Sequence, residues 1–176
     1  METTAVYWEP KIRTYGFQIE KELSLLEIRL DPSWPDTGPW PEKLESSGFR
    51  FSLIFGQVRD SNSISLYIAA RDSSMDQLME MVGPGLGIRD GDCSIIASPV
   101  DMLSFQGPHY GDRPGIAYKA LETLCSGGMN VIALCCSVSC IYIILEQDKG
   151  EAARDILLEN FEVPLKNRRR RNLKKQ

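Results

Sequence analysis

Two nearly continuous runs of β-branched and apolar residues, 129–136 (MNVIALCC) and 140–145 (CIYIIL), are separated by only three residues. Runs of this length and composition are strands, and so short a link leaves them no choice but to pair as an antiparallel hairpin. The flanks extend the unit. Residues 100–105 (VDMLSF) form a short apolar strand closed by Gly107, and a helical pattern opens at Pro114 with Ile116, Ala120 and Leu124 on one stripe until Gly127 and Gly128 stop it. After the hairpin, residues 148–161 predict an amphipathic helix. Its stripe is Ala152, Ile156 (or Leu157) and Phe161, with Asp148, Glu151, Arg154 and Asp155 left for solvent. The order strand, helix, strand, strand, helix sets an α+β class.

Within this stretch the loop GPHYGDRPGI, the following GGMNV and the hairpin CCSVSCIYIIL carry a resemblance to the ACT domain, a small ligand-sensing module of amino-acid metabolism. More narrowly, residues 107–161 resemble the second ACT module of aspartokinases. The resemblance implies ferredoxin-like βαββαβ modules that bind a small effector, usually an amino acid, and signal to a partner. It also implies that a strand ahead of the first module, here residues 14–18, crosses over to complete the second module's sheet. The expected organisation is an N-terminal segment 1–19 with that strand, a degenerate ACT module over 20–98, a second over 99–164, and a basic disordered tail over 165–176.

Composition bounds the alternatives. The chain has 176 residues, enough for one ordinary domain or two small ones with a real core. Its formal charge of −4 hides an asymmetry: the stretch KNRRRRNLKKQ holds seven of the 20 basic residues, leaving thirteen against 24 acidic residues, a body of −11. Such a body repels phosphate backbones, so nucleic acid is expected only through the tail; that tail binds RNA, a membrane or an acidic partner, or, as an equal expectation, only solubilises the chain and is attracted to its own acidic body. The five cysteines lack CxxC spacing and read as free, buried thiols, with Cys136 and Cys140 as a pair that could face each other across the hairpin. No run has the length of a signal peptide's apolar core or a membrane span, so a cytoplasmic protein is expected.

The first half follows the same plan less faithfully. Residues 12–19 read as a short strand and 23–30 as another. Then comes DPSWPDTGPWPEKLESSG, whose prolines exclude a helix before Pro41; Asp31 stands where an effector loop's Asp would be, but no Pro-Gly follows, and Trp34 and Trp40 read as a cap on exposed core. Residues 49–58 and 64–69 predict a hairpin, 74–82 a helix with stripe Met75, Leu78, Met79 and Val82, and 93–97 a closing strand before the Ser98-Pro99 link. The run GPGLG reads as a helix stop, since it lacks the Gly-Lys-Ser/Thr ending of a phosphate loop. The DGD at 90–92 reads as a turn.

Nothing in the sequence reads as catalytic. The lone histidine, His109, has no Ser or Cys partner at a recognisable spacing, no metal-ligand pattern or cofactor motif is present, and the kinase domain of aspartokinases is missing. Binding chemistry is better founded. In DRPGI, Pro114 sets the first helical turn and Gly115 lets backbone approach a ligand, so the turn's N–H groups suit a carboxylate. Asp112 either accepts from an ammonium group or caps the helix; Arg113, Ile116, His109 and, in the resemblance, Asn130 complete the candidate ligand site. Alternatively these residues only shape the turn. Two functions are therefore expected: a non-catalytic amino-acid sensor acting on an unknown partner, or a ligand-free assembly subunit. A homodimer is expected in either case.

Overall fold

The computed structural model describes residues 10–30, 45–60, 63–85 and 93–164. The readings of Asp31, Trp34, Trp40 and Pro41, of the DGD turn, and of the basic tail lie outside these residues; residues 45–47 are helical.

The described strands are β1 (Ile12–Arg13), β2 (Gly16–Leu30), β3 (Leu53–Asp60), β4 (Ser63–Arg71), β5 (Cys93–Gln106), β6 (Val131–Cys136), β7 (Cys140–Glu146) and β8 (Phe161–Glu162). The helices are α1 (Met75–Gly85), entered through the 3-10 turn Asp72–Ser74, α2 (Ile116–Ser126) and α3 (Gly150–Leu157). Six strands hydrogen-bond in the order β3-β4-β2-β5-β7-β6, and β1 pairs in parallel with β8. The chain forms two compact units, one from described residues up to 18, 103–143 and from 151, the other from those of 19–102 and 144–150. No described helix is long and apolar enough to cross a membrane.

In the unit of residues 19–102 and 144–150, β2 pairs antiparallel with β4 from Leu23↔Arg71 to Leu30↔Ile64, and β3 with β4 from Leu53↔Ala69 onward. Alternation sends Leu26, Ile28 and Leu30 of β2 and Ile68 and Ala70 of β4 to one face, where Met75 and Leu78 of α1 cover them. The opposite face buries a carboxylate. Glu27 Oε1 accepts from Arg59 Nη2 (2.6 Å), the Ser65 hydroxyl (2.8 Å) and the Tyr67 hydroxyl (3.2 Å). Burial pushes the Glu27 pKa up, but these hydroxyl bonds and the charges of Arg59 and Arg29 outweigh it, leaving the group below its ordinary value.

In the other unit the core is aromatic: Phe105 meets Phe17 and Phe161 at centroid distances of 5.1 and 5.2 Å. Ile116, Ala120 and Leu124 of α2 are buried as the stripe predicts, joined by Ala153 and Leu157 of α3. Gly127 and Gly128 stop α2 in a Schellman arrangement, with Gly128 at φ 75 and N–H bonds from Gly128 to Cys125 O and from Met129 to Leu124 O.

Several expectations are corrected. The two short strands expected over 12–30 are instead β1 and one 15-residue strand, β2, because the polar Glu20, Lys21 and Glu22 stay in the ladder, with Glu22 at φ 59. The link expected at Ser98-Pro99 is likewise inside one strand, β5, through a cis peptide bond. Helix α1 continues to Gly85, so the first three residues of GPGLG are its last turn and not a stop. On α3 the buried stripe is Ala153 and Leu157; Ala152 is exposed, since the helix starts at Gly150, where Asp101 Oδ2 accepts the Gly150 N–H at 3.0 Å and sets the rotation.

The five cysteines are free, but not all are buried: Cys125 and Cys136 are exposed. Cys125 lies about 100° around the helix from Leu124, and Cys136 ends its strand. Nor do Cys136 and Cys140 face each other. Ser137 stands opposite Cys140, donating its N–H to the Cys140 carbonyl (2.9 Å) and accepting the Cys140 N–H on its hydroxyl (3.1 Å).

Candidate functional site

The loop between β5 and α2 is held in place by contacts to the N-terminal segment. Gln106 O accepts both the Tyr15 N–H (2.8 Å) and the Thr14 hydroxyl (2.7 Å). At Gly107 a Cβ would fall 2.3 Å from the Arg13 carbonyl oxygen and 2.4 Å from the Tyr110 ring, so only glycine fits. The next turn closes on His109, at φ 64, whose carbonyl accepts from the N–H groups of Asp112 (3.1 Å) and Arg113 (2.8 Å). Tyr110, packed edge-on against Phe105, keeps its hydroxyl buried with no well-formed hydrogen bond among the described residues; burial pushes its pKa up to about 12.

Helix α2 begins two residues after Pro114, where the pattern opens. Gly115 is its N-cap, at φ 82, and its carbonyl accepts the Lys119 N–H at 2.9 Å. The left-handed backbone favours glycine here, and a Cβ at this position would meet no protein atom within 4 Å. No side chain caps the helix, so the N–H groups of its first turn lack the partner that a Ser or Asp would supply.

Beside this turn is a cavity of about 290 Å³, lined by Arg113 to Ile116, by Lys119 and Glu122 of α2, by Ile12 of β1 and by Asn160. Lys119 Nζ contacts Glu122 Oε2 at 2.7 Å, and both are partly exposed. Asn160 Nδ2 donates to Thr123 Oγ1 (3.1 Å), which in turn donates to Lys119 O (2.7 Å). The cavity thus offers two cations, one carboxylate, an amide and a turn of N–H groups over an apolar floor. That set can hold a small molecule carrying a carboxylate and an ammonium group.

Of the residues expected in a site, Arg113, Pro114, Gly115 and Ile116 come together here. The other three lie outside the lining. His109 Nδ1 and Asp112 Oδ2 are 3.8 Å apart on an exposed turn, Asp112 does not cap the helix, and Asn130 is exposed just ahead of β6. Sequence reasoning missed Lys119 and Glu122, although Gly115, Lys119 and Glu122 have the i, i+4, i+7 spacing of one helix face. Asn160 carries no such signal, because the return of the chain after α3 brings it there. Among the described residues no group of three or more His, Cys, Asp or Glu could hold a metal ion.

No protein-family model matches the sequence, and no curated protein matches it. The fold has solved relatives. It is similar to the ligand-free regulatory subunit of aspartate kinase from Thermus thermophilus, with a TM-score of 0.69 and 17% identity over 85% of this chain and 99% of that one. The regulatory subunit from Thermus flavus gives 0.70 and 17% over 84% and 97%. The aspartate kinase of Synechocystis gives 0.72 and 16%, with 92% of this chain matching 29% of that enzyme. The chain therefore has the α+β fold of aspartate kinase regulatory subunits.

Proposed function

We propose that this chain is a non-catalytic regulatory protein of ACT type that binds a free amino acid and signals its presence to a separate partner protein. The cavity at the start of α2 carries the reading. In it the ligand carboxylate meets the uncapped turn at Gly115 and Ile116 with the Arg113 guanidinium, and the ammonium group meets Glu122. Ile12 and the helix stem supply the apolar wall for a side chain. His109, Asp112 and Asn130 sit at the margin and contribute no direct contact.

The test is a thermal-shift screen of lysine, threonine, methionine, serine and the aromatic amino acids, followed by calorimetric titration of any hit. A ligand at 100 times its dissociation constant adds about 2.7 kcal/mol of stability. Arg113→Gln should weaken binding about tenfold or more by removing a charged donor. Absence of a shift with every amino acid would move the function to the second reading, a ligand-free assembly subunit. That reading has one observation of its own: β6 ends the six-stranded sheet, and five of its six residues, apolar or cysteine, are only half-buried. Such an edge suits a second copy of the chain. We infer a homodimer through it, checked by sedimentation velocity at micromolar concentration.

A further inference from the structure

A second cavity, of about 350 Å³, lies in the unit of residues 19–102 and 144–150. The β2–β4 register creates its position. Leu23 is opposite Arg71, so Glu22 stands one step beyond that pair, beside the point where the chain leaves β4 for the 3-10 turn Asp72–Ser74. Pro99 and Gln147 complete the lining.

The polar groups here are held unequally. Asp72 is fixed: its Oδ1 accepts from the buried Ser24 hydroxyl and from the Ser98 hydroxyl at 2.8 Å, and these hydroxyls hold its carboxyl below the ordinary range. The Ser24 and Ser98 oxygens lie 2.7 Å apart, so their two protons are shared over three contacts, and Asp72 Oδ2 is left as the available acceptor. Arg71 and Glu22, by contrast, form no side-chain hydrogen bond or ion pair among the described residues. A guanidinium, a carboxylate and a second, pre-positioned carboxylate thus line one cavity of small-molecule size without neutralising each other.

We propose that this cavity is a second ligand site, taking a small zwitterion whose carboxylate pairs with Arg71 and whose ammonium group lies between Asp72 and Glu22. Two carboxylates against one guanidinium reject a phosphate, which would meet net negative charge. A guanidinium in the lining disfavours a bare metal cation, whereas a molecule bearing both charges satisfies every group. The assignment does not depend on the cavity beside Gly115, and either can be occupied without the other.

The experiment is amide NMR of the labelled full chain titrated with glycine, lysine, threonine and methionine. The expected result is saturable shifts at the amides of residues 22, 71–73 and 147 with at least one of the four. Arg71→Gln, at an exposed side chain that no folded contact needs, should weaken that response about tenfold or more. Arg113→Gln should leave it unchanged. Absence of shifts at these amides with all four compounds at millimolar concentration overturns the proposal, as does an Arg71→Gln protein that binds with wild-type affinity. Loss of the response in Arg113→Gln would assign it to the other cavity, and so overturn this site while sparing that one.

Discussion

Asn160 holds Thr123 through a 3.1 Å hydrogen bond from its side-chain amide, and so ties the turn after α3 to the second half of α2, at the wall of the candidate cavity. Asn160→Ala should cost about 1 kcal/mol of stability, the usual worth of one such bond. The Thr123 hydroxyl keeps its bond to Lys119 O, so the loss should not be larger. Urea unfolding with unchanged slope checks this, and a cost near zero would show that the turn is positioned by backbone alone.

Two glycines of the same loop should respond differently to alanine. Gly107→Ala pushes a methyl into the Arg13 carbonyl oxygen, a backbone atom that cannot swing aside, and overpacking of this kind costs about 1–3 kcal/mol. Gly115→Ala meets open space and pays only for a left-handed backbone, about 1 kcal/mol. Melting temperatures should therefore rank wild type, Gly115→Ala, Gly107→Ala in falling order. The reverse order would refute the geometry of the loop.

Asp101 is fully buried and uses one carboxylate oxygen, Oδ2, to accept the first N–H of α3, while Oδ1 has no partner among the described residues. Asp101→Ala should cost about 1–2 kcal/mol, as for loss of a helix cap. Asp101→Asn keeps an acceptor for Gly150 and removes a buried formal charge, so it should cost less. Chemical denaturation of the pair decides; equal losses would mean that the carboxylate charge itself is needed.

Acid should remove the stability that ionised Glu27 supplies. Its folded pKa lies below the unfolded value, so its contribution is fully present above the unfolded pKa and fades as pH falls through the folded one. The urea midpoint of the wild type should therefore drop more steeply as pH falls below about 4.5 than that of Glu27→Gln. Parallel curves for the two proteins would show that the Arg59, Ser65 and Tyr67 contacts do not depend on the charge.

The local pattern was legible wherever an apolar run or stripe was continuous in the sequence, as in β3, β4, β6, β7 and the Ile116, Ala120, Leu124 face of α2. Strand continuity was not. Glu20, Lys21 and Glu22 read as a break because charge in a sequence looks like a loop, yet ladder pairing needs only their backbone, and Lys21 reaches Asp148 at 3.3 Å. The α3 stripe was misread by one residue because Ala152 and Ala153 are chemically identical, and only Asp101, about 50 residues earlier, selects between them. For the candidate cavity, the loop from Arg113 to Ile116 was visible as a motif. Ile12 and Asn160 were not, since long-range return of the chain places them.

That return has a consequence for synthesis. Ile12 and Arg13 find their partners only at Phe161 and Glu162, so β1 leaves the ribosome with nothing to pair with until 149 more residues have been made. At ordinary elongation rates that is a wait on the order of ten seconds, during which two strand residues stay unsatisfied. The wall that Ile12 gives the candidate cavity consequently forms only after Phe161 and Glu162 have been made, and a nascent chain would be unable to hold a ligand there before α3 had emerged.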